Sequence, residues 1–231
     1  MSNLFQVLIP LTDVRAGSTI PNENPATNRQ LQDNPGASLF FLQKDLYPGA
    51  KMNLQFAIIS KSEKAEFISQ SINACEHPGI GNEEMYYATS LETLVEYGSS
   101  KFGKEVNVLT TVISGDKEQR TRTRKQQYIV SSGVRQIVSD NLVVCHSLPY
   151  PNAVFFCHAT SEHTTRAYVV TLVGADGTKI KATTICHKDT SEWDPDHVAF
   201  QVLKVRPGTI NPICHFLTED NIVWAGKNKE N

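Results

Sequence analysis

Four of the five cysteines in this 231-residue chain are each followed at once by histidine, as Cys145-His146, Cys157-His158, Cys186-His187 and Cys214-His215. These pairs use four of the seven histidines, and 10, 27 and 26 residues separate them in turn. A single buried cysteine or histidine is usually a packing residue, but four adjacent pairs are poorly explained that way. One available chemistry mixes thiolates and imidazoles in a tetrahedral zinc site, where paired ligands usually have about two to four residues between them. Neighbours on a strand point to opposite faces, so a cysteine does not readily share an ion with the histidine after it. The other chemistry separates the two types. Cysteines on one face form disulfides, and histidines on the other converge on a metal. Several imidazoles without thiolate suit copper(II), and zinc and nickel are compatible by ligand type. Cys145, Cys157, Cys186 and Cys214 allow three disulfide pairings, and nothing in the sequence chooses among them. Four disulfide-capable cysteines imply an oxidising compartment.

Strands must position such pairs. Over Lys179 to His187, Ile180, Ala182, Thr184 and Cys186 share one face, and Lys179, Lys181, Thr183, Ile185 and His187 the other. The cysteine face reads as core and the histidine face as the more exposed. Strands are expected over 106–113, 127–130, 142–145, 153–158, 167–173, 179–186, 198–205 and 222–224, with Gly174-Ala175-Asp176-Gly177 turning a hairpin. Earlier in the chain, Met52, Leu54, Phe56 and Ile58 alternate as in a half-buried strand. Ala65, Ile68, Ile72 and Cys75 fall on one face of a helix over 62–75. Thr89 and Glu92 read as a capping box for a further helix that turns Leu91, Leu94, Val95 and Phe102 to the core and ends at Gly98 or Gly103. The expected fold is therefore α+β: a helical N-terminal portion, then a strand-rich C-terminal portion carrying the four Cys-His pairs. Residues 1–37, rich in Asn, Pro, Thr and Gln, read as a flexible arm or precursor remnant, 38–226 as the folded domain and 227–231 as a polar tail.

Hydrophobic content of 40%, charged content of 20% and a net charge of -2 describe an ordinary globular chain. No basic excess points to a nucleic acid or an anionic membrane surface. No apolar run approaches the roughly 20 residues of a membrane helix. The first ten residues lack the basic start and unbroken apolar run of a signal peptide, so the expectation is either a cytosolic chain or one that begins after a removed signal.

The order and spacing of the Cys-His pairs resemble the BURP domain of plant proteins. Phe40-Phe41-Leu42 with Asp45-Leu46-Tyr47-Pro48-Gly49, Ala88-Thr89-Ser90-Leu91-Glu92, Asp189-Thr190-Ser191-Glu192-Trp193, Pro195 to Phe200 and Cys214-His215-Phe216-Leu217 carry the resemblance, which spans Ser38 to Trp224. It implies a secretory-pathway protein of the apoplast or vacuole. Some members are copper-dependent peptide cyclases that make side-chain-crosslinked macrocycles, the burpitides. In these, copper and dioxygen oxidise a Tyr or Trp of a peptide, which then couples to another atom of the same peptide. Carried onto this chain, His146, His158, His187 and His215 are the copper ligands and catalytic residues, with His197 a weaker candidate and His163 a surface loop residue. Other members are non-enzymatic wall or stress-associated proteins that bind polysaccharide or a partner enzyme.

Two departures bear on the branch. Tyr87 stands where the family usually has a cysteine to pair with the one at Cys75, which leaves Cys75 odd and expected buried. Residues 1–46 contain no Tyr or Trp, so a cyclase here is expected to take its peptide in trans or from a removed precursor segment. Arg120, Arg122 and Arg124 read as a solvated edge, Trp193 and Trp224 as packing or rim residues, and Tyr86 and Tyr87 as packing before a helix cap.

Overall fold

The computed structural model describes residues 38–56, 72, 84–114, 125–161 and 163–226. Among them are thirteen strands and two α-helices, arranged as two antiparallel sheets. The larger sheet has the order β1 (Phe40–Leu42), β12 (Ile213–Phe216), β11 (Lys179–His187), β10 (Thr165–Gly174), β6 (Gln126–Val130), β2 (Lys51–Leu54). Two short strands join it, β5 (Val112–Ile113) on β11 and β7 (Arg135–Ile137) on β10. The smaller sheet runs β3 (Glu84–Ala88), β9 (Phe155–Ser161), β8 (Asn141–Ser147), β13 (Ile222–Gly226), β4 (Val106–Leu109).

The sheets face each other across a shared core of Leu142, Val144, Val223 and Ala225 from the small sheet and Ala167, Val169 and Ile185 from the large one. Alternation along each strand turns the remaining side chains outward into separate cores. The outer face of the large sheet closes over Phe41, Leu54, Phe56, Tyr128, Leu172, Ile180 and Phe216. The outer face of the small sheet is covered by α1 (Leu91–Phe102), which packs Leu94 and Tyr97 against Val143, Phe155 and Trp224. The hairpin at 174–177 forms as expected, with Gly177 N–H donating to the Gly174 carbonyl at 2.9 Å between β10 and β11.

The expectation of α+β with a helical N-terminal portion is overturned: strand is the dominant element among the described residues, with only two α-helices. β1 and β3, early in the chain, pair with β12 and β9, far later in it. Segments of three and five residues carry too little periodicity to declare themselves, and their partners exist only in the folded state. Of the helix expected over 62–75, only Ile72 is described, helical and 47% exposed; Cys75 and Arg120 to Arg124 lie outside the described residues.

Residues 198–205 also differ from expectation. Val198–Leu203 is a helix, α2, capped where the His197 side chain accepts from the Ala199 N–H and ended by Lys204 at φ 54. Its β-branched residues suggested a strand, but the cap and the burial of Val198, Ala199 and Phe200 decide for a helix. The cap of α1 is Ser90, reciprocated by Thr93, rather than Thr89 with Glu92. Its buried side is Leu94, Tyr97 and Gly98, while Leu91 and Val95 are exposed. Gly103 ends the helix, and Gly98 has a different task. A Cβ built there would lie 2.5 Å from the Trp224 ring. Gly98→Ala is expected to destabilise by about 1–3 kcal/mol, the usual cost of overpacking, read as a lower thermal midpoint. An unchanged midpoint would mean that α1 does not sit on Trp224.

Candidate metal centre

The two halves of the site follow one construction. Cys145 is directly opposite Cys157 on β8 and β9, and Cys186 directly opposite Cys214 on β11 and β12. Each pair is a disulfide, with Cα atoms 4.0 and 3.9 Å apart. When two Cys-His dipeptides lie antiparallel with their cysteines opposed, alternation sends both histidines to the other face, as diagonal neighbours about 7–8 Å apart at Cα. Imidazoles span that gap. His146 Nε2 and His158 Nε2 are 3.4 Å apart, as are His187 Nε2 and His215 Nε2. Within each pair the rings are nearly parallel, at 11° and 9°, with centroids 5.5 Å apart.

The sheets bring the two halves together. The disulfides point outward, Cys145–Cys157 into the core beneath α1 and Cys186–Cys214 into the core of the large sheet. The histidines point into the space between the sheets, where the His146 and His215 rings are 6.0 Å apart. All four rings are buried, from 2% exposed for His146 and His158 to 7% for His215. The histidine face of β11 is the more exposed one, but only at the start of the strand. Lys179 and Lys181 reach solvent, but Thr183, Ile185 and His187 are covered by the second sheet, which one strand's pattern does not reveal.

Aromatic side chains wall the cluster. Phe156 lies between His146 and His158 on one side and Tyr87 on the other, at centroid distances of 6.5, 5.6 and 5.2 Å. Trp193 meets His187 edge-on at 4.8 Å, and Phe40 packs on His215 at 5.5 Å. His197 stands in an outer layer, against Trp193 at 4.7 Å and Phe40 at 5.7 Å, with Nδ1 occupied by the helix cap. His163 is exposed in the β9–β10 loop. Trp224 is buried under α1, Tyr86 stacks on Tyr97 at 4.2 Å, and neither belongs to the cluster. Asn221 was not foreseen from the sequence. It hydrogen-bonds His146, accepts from the Ser147 N–H at 3.0 Å and donates to Thr218. An asparagine between strands carries no spacing signal of its own.

Burial dominates the protonation chemistry. It holds His146 and His187 well below the ordinary histidine range, reinforced by the neighbouring imidazoles. His215 is lowered to about 4 and His197 to about 3, again chiefly by burial. These imidazoles stay neutral in mildly acidic solution. A metal held by them should therefore persist below pH 6, the point at which unperturbed histidines would begin to release it.

The same shifts fix the sign of a stability change. A group with a folded pKa below its unfolded value takes up a proton on unfolding, so its contribution is complete above about pH 6.5 and is lost as pH falls through the folded value. For His215 a fall from 6.5 to about 4 corresponds to roughly 3 kcal/mol. The metal-free protein should lose thermal stability steadily from pH 6.5 toward pH 4. A midpoint flat over that range would show that the imidazoles are not desolvated.

The donors suit a metal ion by chemistry. Both disulfides remove thiolates from the ligand set, which leaves neutral imidazole nitrogens. A separation of 3.4 Å can be spanned by two ligands binding one ion at about 2.0 Å. No group of three His, Cys, Asp or Glu side chains among the described residues is placed to hold an ion. Each pair could supply two ligands, and a full coordination shell would require water, substrate or closer approach of the two pairs.

Comparison with known proteins agrees with this frame. Residues 54–226 match the BURP domain. The chain is 37% identical over 246 residues to the BURP domain protein RD22 of Arabidopsis thaliana, covering 88% of this chain and 61% of that protein. It is 38% identical over 236 residues to BURP domain-containing protein 3 of Oryza sativa subsp. japonica, covering 87% and 53%. With the BURP domain protein USPL1 of Arabidopsis thaliana it shares 34% identity over 193 residues, 80% of this chain and 68% of that one. The chain thus spans between half and two thirds of the first two relatives. With family match, paired disulfides and plant relatives in agreement, the chain belongs to the BURP domain family.

Proposed function

We propose that this chain is a copper-dependent oxidative peptide cyclase of the secretory pathway, acting on a Tyr- or Trp-containing peptide supplied in trans or from a removed precursor segment. The observation that carries the reading is the set of four buried imidazoles in two Nε2-facing pairs between the sheets. Such a site is built for nitrogen ligation, and its all-imidazole donors favour copper(II) by the divalent affinity order. Copper, when bound, would supply one-electron oxidation of the peptide, with dioxygen as the terminal acceptor. The net change removes two hydrogens from the peptide, forms one bond between its side chain and another of its atoms, and passes both electrons and protons to dioxygen.

This chain's own residues supply the setting. His146, His158, His187 and His215 would hold the ion, and the disulfides keep each pair in register. Asn221 orients the His146 ring. Trp193, Phe40 and Phe156 exclude water from the imidazoles. The two disulfides, and described helices of which none is long and apolar enough to cross a membrane, fit delivery to the apoplast or vacuole.

The near-complete burial of all four rings favours a second reading, a non-enzymatic wall or stress-associated protein that binds polysaccharide, in which the imidazoles only pack. A copper(II) titration of the non-reduced protein separates the two. Metal content is read by mass after buffer exchange, followed by aerobic incubation with a Tyr- or Trp-containing peptide. Retained copper and a product lighter by two hydrogens support the cyclase. Pectin binding with no retained copper and no product supports the second reading.

A further inference from the structure

A cavity of about 260 Å³ lies at the end of the sandwich where β9 passes into β10. Gln136, Ser139, His163, Thr165, Arg166 and Lys188 line it, over an apolar floor that includes Leu142. Among the described residues the lining holds an arginine and a lysine and no carboxylate, and paired cations call for an oxyanion. A carboxylate can take two parallel hydrogen bonds from Arg166 and charge from Lys188.

We propose that this cavity binds the terminal carboxylate of a peptide. Its size admits a chain end rather than a whole ligand. A polyuronide, whose carboxylates repeat along the chain, would need an open groove with repeated cations. The position points the same way. Thr165 is directly opposite His187 across β10 and β11, and Lys188 follows His187 in the chain. A peptide anchored here by its end lies beside the imidazole cluster. The oxyanion chemistry of the pocket stands without the copper reading; its assignment to a substrate peptide rests on that reading.

The test uses the metal-free, non-reduced protein and calorimetry, so that absent copper chemistry does not affect the result. The probes are a short Tyr-containing peptide with a free C-terminal carboxylate, the same peptide as its C-terminal amide, and an oligogalacturonate. The carboxylate should bind about tenfold more tightly than the amide, the usual scale of a charge-assisted hydrogen bond. Arg166→Gln should abolish that difference. Lys188→Gln should reduce it. Equal binding of the two peptides, or discrimination that survives in Arg166→Gln, overturns the proposal. So does Arg166-dependent binding of oligogalacturonate tighter than that of the peptide.

Discussion

Replacing Cys186 and Cys214 together by serine is expected to remove roughly 3.5 kcal/mol of stability, and replacing Cys145 and Cys157 roughly 3 kcal/mol. The figures follow from the closed loops, with sequence separations of 28 and 12. A domain of ordinary stability loses a large fraction of its margin to either change. Both disulfides lie fully buried, one in each outer core, where serine would leave two hydroxyls without assured partners. The disulfides also act on the site. Each spans the same two strands that carry one histidine pair, so its loss frees those strands to slip, and a slip of one residue turns a histidine to the wrong face. Denaturant unfolding of the two double variants measures the first effect. Copper content of the protein before and after mild reduction measures the second. If both double variants unfold at the wild-type midpoint, the pairings drawn here are wrong.

On the cyclase function proposed above, His187→Ala is expected to lower copper-dependent turnover by more than about 100-fold. Loss of a residue that merely supports a metal ligand typically costs 10–100-fold, and a ligand itself should cost more. His187 is the position to choose. It faces His215 at 3.4 Å, lies under the edge of Trp193, and is coupled electrostatically to the other three clustered histidines and His197. Truncating it leaves a cavity in the core, so some stability will be lost as well. Two readouts separate a lost ligand from a loosened fold. Copper content should fall in the variant while its circular dichroism stays that of the wild type, and added imidazole should restore part of the copper. A variant that keeps both its copper and its turnover removes His187 from the ligand set.

The clustered residues were legible in the sequence because their spacing is local and unusual. Two Cys-His dipeptides on neighbouring antiparallel strands can oppose their cysteines only by sending both histidines to the other face. That consequence of alternation needs no tertiary information. The hairpin at 174–177 was legible for the same reason, since its glycines and aspartate demand a tight turn whatever lies around it.

The pairing itself was not legible. Cys145 with Cys157 and Cys186 with Cys214 is one of three possibilities, and only strand order selects it. Burial of the histidine face depends on a second sheet that no single strand announces. The true balance of strand and helix turned on Phe40–Leu42 and Glu84–Ala88, short segments whose partners lie far away in the chain. The helix at 198–203 depended on a histidine cap that outweighs the residues' preference for extended backbone. The sequence by itself determined which side chains would share a face and which chemistry they could do. The tertiary structure alone decided which faces meet, how dry the imidazoles are and which cations gather beside them, because each of these arises from contacts between elements remote along the chain.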